Sequence, residues 1–341
     1  MTSTGSTSVE VLDRPRLPAG RGPLSAAVLD QLAGRAASID VGGAEPNGED
    51  LQLALYLCYE LHYRGFIGVD DDLEWDPALL SARAVMEARF LAALRADLPG
   101  GDDVDQAVAD LLAEPIDGTG VSHHLSTEGT IEQLREYVAL RSLYHRKEAD
   151  PQAWVIPRLQ GQAKAGLVTV ENDEYGAGRG ARMHSVLFAD MMVELDLDPG
   201  YGAYVGHAPA TVLAEINLMS LCGLRRRLRG AAVGQFAVIE LSSSPASARL
   251  VKAAKRLRCG PATERFYAEH VVADAVHEQV LRRDVLAPLL ALEPGLAADV
   301  VFGIQGSQVL GHRSADALLA GWHGSTASLR RPLPAGHRTP Q

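Results

Sequence analysis

Apolar residues recur at helical spacing along most of the chain. Hydrophobic side chains repeat three and four positions apart, whereas alternating apolar and polar runs bounded by turn residues, the pattern of strands, are scarce. Gly or Pro separates the periodic segments. The pattern therefore predicts an all-α protein, with helices over residues 51–65, 77–98, 130–149, 158–174, 184–196, 209–242, 245–258 and 262–291.

The two ends of the chain lack this periodicity. Residues 1–24 and 326–341 are rich in Ser, Thr, Gly and Pro. Such segments bury too little apolar surface to offset the entropy of ordering. We therefore expect both ends to be disordered, and we place no chemistry in them.

Composition and charge limit the class of protein. With 341 residues, 47% of them hydrophobic, the chain is long enough for a large buried core. Its formal net charge of -11 argues against a nucleic-acid partner, which would select a clustered basic face. No uncharged run approaches the length of a membrane span, and the first residues lack a signal-peptide pattern. The three cysteines, far apart and odd in number, indicate a reducing compartment, so we expect a cytoplasmic protein.

One segment mixes polar and apolar residues in a distinctive way. The stretch HVVADAVH, residues 270–277, places His270, Asp274 and His277 at positions i, i+4 and i+7. At roughly 100° per residue, these positions fall within about 40° of one another on a helix. Burying three such groups on one face is costly unless they have partners. Two interpretations remain open: hydrogen-bonded core histidines, or metal ligands.

Residues that would complete a metal site occur in other predicted helices. Glu240 lies in an apolar segment, where an acid is seldom left unpaired. Glu174 and His184 flank a Gly-rich stretch, where a kink would bring them together. Glu148 lies near a predicted helix end. Glu171, one turn before Glu174, is an alternative to it.

The charges of these candidates match a site for two metal ions. Four carboxylates bring four negative charges, which two divalent cations balance, and three imidazoles complete the coordination. Mixed carboxylate and imidazole ligands favour iron or manganese, and the lack of cysteine ligands argues against structural zinc. The candidate ligands are Glu148, Glu174, His184, Glu240, His270, Asp274 and His277.

In this combination of residues the chain resembles the haem-oxygenase-like dimetal oxidases and oxygenases, which are non-haem diiron enzymes. The core helices of that family carry, in order, one Glu, then a Glu and a His, then His-x3-Asp-x2-His. Some members, particularly N-oxygenases, add a carboxylate from an intervening helix. These ligands are matched here by Glu148, by Glu174 and His184, by His270, Asp274 and His277, and by Glu240.

The resemblance covers residues 126–325 and implies that this range is a haem-oxygenase-like helical bundle that binds two metals. Residues 25–125 would then form an auxiliary region of additional N-terminal helices, which in related proteins serve packing or dimer formation. Ferritin-like diiron proteins use Glu-x-x-His pairs, and this sequence contains none. A haem site could use His145 as its proximal ligand, but it would leave the carboxylates unexplained.

The resemblance also implies two Fe(II)/Fe(III) ions, O2 as co-substrate, an external electron donor and a small-molecule substrate. We expect a monooxygenase or oxidase that acts through a peroxo-diferric intermediate. Glu240 favours N-oxygenation of an amine or amino-acid side chain in specialised metabolism. The alternative is oxidative C–C cleavage or decarboxylation of an amino acid or fatty acid.

Two further expectations concern function. A non-enzymatic interpretation is a helical binding or dimerisation module with a buried polar network, which would retain no iron. For an enzyme, Arg179 and Arg182 beside the proposed kink are candidates to bind a substrate carboxylate, because a guanidinium fork matches the two carboxylate oxygens.

Overall fold

The structure, a computed structural model, describes residues 13–35, 38–113, 118–324 and 326–334. Within these ranges every regular element is a helix and no strand occurs, so the predicted all-α class is confirmed. The helices are α1 (Pro23–Leu32), α2 (Glu49–Glu60), α3 (Pro77–Ala96), α4 (Val104–Leu112), α5 (Val121–Thr127), α6 (Ile131–His145), α7 (Asp150–Ala153), α8 (Gly161–Glu174), α9 (His184–Glu194), α10 (Ala210–Leu224), α11 (Arg229–Arg256), α12 (Pro261–Val280), α13 (Ala287–Leu292) and α14 (Ala297–Trp322).

Side-chain caps mark where several helices begin, because the first backbone N–H groups of a helix have no partner within it. The Asp76 carboxylate accepts a hydrogen bond from the N–H of Leu79 at the start of α3 (2.8 Å). Thr130 and Gln133 form a reciprocal capping box at the start of α6. The box fixes the first turn of α6, and so the face on which its later residues lie.

The predicted helix over residues 209–242 is divided in the structure. α10 ends at Leu224, where the Arg158 guanidinium donates to the carbonyl oxygens of Gly223 and Leu224. The chain then turns and restarts as α11 at Arg229. The prediction of one continuous helix was wrong, because a side chain distant in sequence satisfies the last carbonyls of α10.

Pro245 does not separate two helices, although the sequence predicted a break there. Proline lacks the N–H needed for an interior helical hydrogen bond and costs about 3 kcal/mol in such a position. In the structure α11 continues through Pro245 to Arg256. α11 packs against α5, α12 and α14, and we attribute the continuation to these tertiary contacts.

The long helix α14 lies outside the predicted helices, as do the shorter α1, α4, α5 and α7. α14 contains four glycines, which lower its intrinsic helix propensity. Close contact with α11 explains one of them. A Cβ atom on Gly303 would collide with the carbonyl oxygen of Ala231, and one on Gly234 of α11 would collide with that of Val300.

Parts of both ends that were expected to be disordered have defined structure. The carboxylate of Asp13 accepts a hydrogen bond from the backbone N–H of Tyr201 (3.1 Å), and the hydroxyl of Ser328 donates to the carboxylate of Glu136 (2.7 Å). These partners lie far away in sequence, so local composition does not reveal them. The rest of the predicted disordered ends, residues 1–12 and 335–341, lies outside the described residues.

The helices before residue 126 share one hydrophobic core with the rest of the bundle. α2 packs against α10, and α3 and α4 pack against α14. A buried ion pair adds to these contacts, since Lys147 Nζ lies 2.6 Å from Glu60 Oε2 of α2 and neither side chain is more than 2% exposed. The N-terminal helices are therefore joined directly to the turn that carries Glu148.

No single helix within the described ranges is long and apolar enough to cross a membrane. Two segments reach the required length and composition only together, Pro261–Leu292 and Pro294–Trp322, and they are bent by 111° relative to each other.

Replacing Gly303 with Ala is expected to destabilise the protein, since the new methyl group would meet a backbone carbonyl of α11. Overpacking of this kind costs about 1–3 kcal/mol. Gly311→Ala, on the same helix, is the matched control because a Cβ there meets no described atom within 4 Å. It should stabilise the helix by up to about 1 kcal/mol. Urea unfolding measures both changes, and a G303A variant as stable as the original chain would contradict the close crossing.

Candidate metal centre

α12 presents three potential metal ligands on one face. His270, Asp274 and His277 are buried, with no more than 6% of any of them exposed. His270 Nδ1 donates to the carbonyl oxygen of Phe266 one turn earlier (2.8 Å), so in the neutral ring Nε2 carries the lone pair. That Nε2 is buried and has no hydrogen-bond partner among the described residues. The arrangement suits a metal ligand.

Carboxylates hold His277 on both sides. Its Nδ1 lies 2.8 Å from Glu240 Oε2 and 3.5 Å from Glu174 Oε1. Its Nε2 lies 3.0 Å from Asp173 Oδ2, and the Asp173 side chain is 54% exposed. A carboxylate on the outer nitrogen orients an imidazole whose inner nitrogen binds a metal.

The Gly-rich bend brings Glu174 and His184 together. Glu174 is the last residue of α8 and His184 the first of α9, and between them Ala177 has a φ of 51°, in the left-handed region. His184 Nδ1 lies 2.6 Å from Glu174 Oε2, yet neither atom is hydrogen-bonded to anything in the described ranges. Two buried polar atoms facing each other in this way are suited to sharing a cation.

Glu148, in the turn after α6, lies between two histidines. Its Oε2 is 2.8 Å from His145 Nδ1 and 3.9 Å from His270 Nε2. His145 was not in the predicted ligand set, and its signal in the sequence is the i,i+3 spacing to Glu148. Burial, the largest influence, lowers the pKa of His145 to about 4. Its ring is therefore neutral at neutral pH and free to act as a ligand.

These residues form one continuous polar centre made of three overlapping groups. Within each group the potential ligand atoms lie within 4.8 Å of one another. Glu148 and Glu174 each belong to two of the groups, so the three groups are linked. All seven candidate ligands lie in this centre, and His145 joins them. The groups are His145, Glu148 and His270; Glu148, Glu174 and His184; and Glu174, Glu240, Asp274 and His277.

Glu171 lies one turn before Glu174 on α8, outside these groups. It is only 2% exposed, and neither of its carboxylate oxygens has a hydrogen-bond partner in the part of the chain that the structure describes. Burial, followed by the charges of Glu174 and Glu240, raises the pKa of Glu171 to about 9. Its carboxyl is therefore protonated at neutral pH, and Glu174 is the acid of this pair whose oxygens lie among the ligand atoms.

Burial makes negative charge costly throughout the centre. The pKa of Glu174 lies well above its ordinary value because of burial and then the charge of Glu240. The same two influences raise the pKa of Asp274 to about 7. Burial alone would lower the pKa of a histidine, but neighbouring carboxylates outweigh it and raise the pKa of His270 to about 10 and that of His277 to about 9. Protons on these groups supply positive charge that metal ions would otherwise provide.

A cavity of about 480 Å³ reaches the centre, a volume in the range of small-molecule sites. Its walls come from α5, α6, α10, α11, α12 and α14, and they combine apolar side chains with several serines. The residues of the centre that line it are His145, Glu148, Glu174, Glu240, His270 and Asp274.

The two arginines expected to bind a substrate carboxylate lie elsewhere. Arg179 and Arg182 are exposed, and Arg182 lies 3.5 Å from the carboxylate of Glu269 at the surface. The bend that turns Glu174 and His184 inward directs residues 177–182 towards solvent. Neither arginine belongs to the cavity lining within the described residues, and the guanidinium of that lining is Arg141. The expected role of Arg179 and Arg182 in binding a substrate carboxylate stays a prediction.

The donor set fits iron, because oxygen and imidazole nitrogen ligands in this mixture suit it. The unpartnered buried atoms of His270, His184 and Glu174 are the observation that calls for a cation. In agreement with that chemistry, the family model of the iron-containing redox enzymes matches residues 135–312, more than half of the chain and a range that contains the whole centre. No curated protein matches the chain significantly.

The metal-free protein is expected to lose stability as the pH rises from about 6.5 to about 10. The pKa values of His270 and His277 lie above the ordinary 6.5, at about 10 and about 9. Their protonated forms therefore stabilise the fold below 6.5, and this contribution disappears as the pH rises through the raised values. Bound Mn(II) replaces these protons and should remove the decline. Urea unfolding across this pH window, with EDTA or with Mn(II), measures the effect, and a flat metal-free profile would contradict it.

Proposed function

From the premise that the chain belongs to the iron-containing redox enzymes, we propose that the buried centre holds two iron ions and oxidises a small-molecule substrate with O2. Membership of this family makes the protein an iron-containing oxidoreductase. Two irons, the use of O2 and the type of reaction are the proposal. Its ligands are Glu148, Glu174, His184, Glu240, His270, Asp274 and His277.

The unpartnered buried atoms carry this proposal. His270 Nε2, His184 Nδ1 and Glu174 Oε2 are buried without a hydrogen bond to any described residue. A fold that buries such atoms without a ligand forfeits about 1–3 kcal/mol for each. The charges agree, because four carboxylates balance two divalent cations.

Several side chains would hold the ligands in place. The Ser243 hydroxyl donates to Asp274 Oδ2 (2.5 Å), and Asp173 holds the outer nitrogen of His277 (3.0 Å). These contacts orient the ligands before a metal arrives. Neutral Glu171 keeps a proton beside the centre without adding charge to it.

Iron, when bound, supplies the redox chemistry, and an external electron donor returns it to the ferrous state. We further propose that the reaction is N-oxygenation of an amine or amino-acid side chain. The observation behind this choice is Glu240, which is 3% exposed and lies 2.8 Å from His277 as an additional carboxylate from α11. Oxidative C–C cleavage or decarboxylation is the alternative, and it would release an alkene or aldehyde.

The protein is expected to bind two equivalents of Fe(II), and Glu174→Ala to lower this number, because Glu174 belongs to two of the three ligand groups. Asp173→Asn should weaken iron binding by about 10- to 100-fold while leaving the ligands in place. Anaerobic Fe(II) titration with metal analysis measures both. His323→Ala is the matched control, since His124, Glu128 and His323 form a His and Glu group at the surface. A chain that retains no iron would overturn the proposal.

Product analysis separates the two reactions. With labelled O2, a reductant and L-lysine or L-arginine, we expect the product to carry labelled oxygen on a side-chain nitrogen. Mass spectrometry of the products measures the label. A terminal alkene or aldehyde would instead identify the alternative, and no label in any amine would contradict N-oxygenation.

A further inference from the structure

The cavity has a second polar end, formed by Arg141 of α6 and Glu215 of α10. Arg141 Nη1 lies 3.4 Å from Glu215 Oε2, and the side chains are 28% and 15% exposed. Both residues line the cavity. A cation and an anion thus stand side by side in the space that also reaches the metal centre.

The Arg141 guanidinium is only partly satisfied. Its Nε is buried and has no acceptor among the residues that the structure describes, so Glu215 is its one hydrogen-bonded acceptor there. Arginines with a structural role in this protein differ: Arg135 donates to three backbone carbonyl oxygens and Arg158 to two. The free donors of Arg141 match the two oxygens of a carboxylate.

Two hydroxyl groups that line the same cavity also lack hydrogen-bond partners. Tyr144 Oη and Ser307 Oγ both line the cavity, and neither is hydrogen-bonded within the described ranges. Burial raises the pKa of Glu215, and the neighbouring charge of Arg141 acts against this rise. A bound ammonium group beside Glu215 would further favour its ionised form.

The position of Arg141 on α6 sets its distance from the metal centre. Arg141 precedes His145, the last residue of α6, by four residues, which corresponds to roughly 6 Å at the helical rise per residue. An extended chain advances roughly 1.2 Å per bond. A carboxylate bound at Arg141 would therefore place an atom about five bonds away beside His145 of the metal centre, which is within the reach of a long amino-acid side chain.

We propose that Arg141 and Glu215 bind the carboxylate and the α-ammonium group of a free α-amino acid, whose side chain extends towards the metal centre. The inference rests on the proposed function and deepens it, because it decides which atom reacts. The α-nitrogen is held at Glu215, away from the metal ligands. The group that is oxidised is therefore at the end of the side chain.

Equilibrium binding tests this inference without turnover. Calorimetry on the anaerobic Fe(II)-loaded protein, with the twenty protein amino acids and ornithine as probes, identifies the tightest ligand. We expect saturable binding of an amino acid with a long side chain. Its decarboxylated analogue, such as cadaverine for lysine, and its analogue without the α-amino group, such as 6-aminohexanoate, should each bind at least tenfold more weakly.

Variants assign the effect to the two residues. Arg141→Met should weaken binding of the amino acid by about 10- to 100-fold, but it should leave binding of the decarboxylated amine unchanged. Arg141→Lys keeps the charge without the planar fork and should restore binding only in part. Glu215→Gln should likewise weaken binding of the amino acid. It should leave binding of the analogue without the α-amino group unchanged. Arg35→Met, at an exposed ion pair with Asp30, is the matched control, and thermal unfolding verifies that each variant folds.

The outcomes separate this inference from the proposed function. If no amino acid binds, or if both analogues bind as tightly as the parent compound, the Arg141 and Glu215 site is overturned even when iron binding and O2 consumption are normal. If amino acids bind and depend on Arg141 while the protein takes up no O2, the site stands and the oxygenase proposal fails.

Discussion

The cost of burying carboxylates is the constraint on which this structure depends. Glu148, Glu174, Glu240 and Asp274 are each no more than 4% exposed and converge from separate segments of the bundle. Charged groups in such a place require compensating charge and hydrogen bonds. Protons provide this in part, as the raised pKa values of Glu174 and Asp274 show. Metal ions would provide it more fully, because they bind lone pairs that no described group now satisfies.

Contacts elsewhere in the fold hold these acids in position. The α11–α14 crossing, where Gly234 and Gly303 allow backbone contact, sets the position of the helix that carries Glu240. The buried pair of Glu60 and Lys147 fixes the turn that carries Glu148. The N-terminal helices thus contribute to the centre although they supply none of its candidate ligands. A change in their contacts would reach Glu148 through Lys147.

The cavity joins two charged ends. One end has the carboxylates and imidazoles of the centre, and the other has Arg141 and Glu215. Binding energy gained at the second end can hold a substrate so that its far terminus lies at the first, and positioning of this kind lowers the barrier of a reaction. α6 connects the ends physically, since it carries Arg141 and His145 and leads directly to Glu148.

The sequence by itself determined the helical class and the single face of α12 that carries His270, Asp274 and His277, because periodicity is a local property. The sequence also offered Glu148, Glu174, His184 and Glu240 as candidate ligands, and the family resemblance matched them to an ordered set. Only the tertiary structure decided that Glu174 rather than Glu171 faces the other groups, that His145 joins them and that Arg141, not Arg179 or Arg182, lines the cavity. It also decided where α10 ends and that α11 continues through Pro245. Local spacing shows which residues share a helix face, whereas the meeting of faces depends on contacts between residues far apart in the chain.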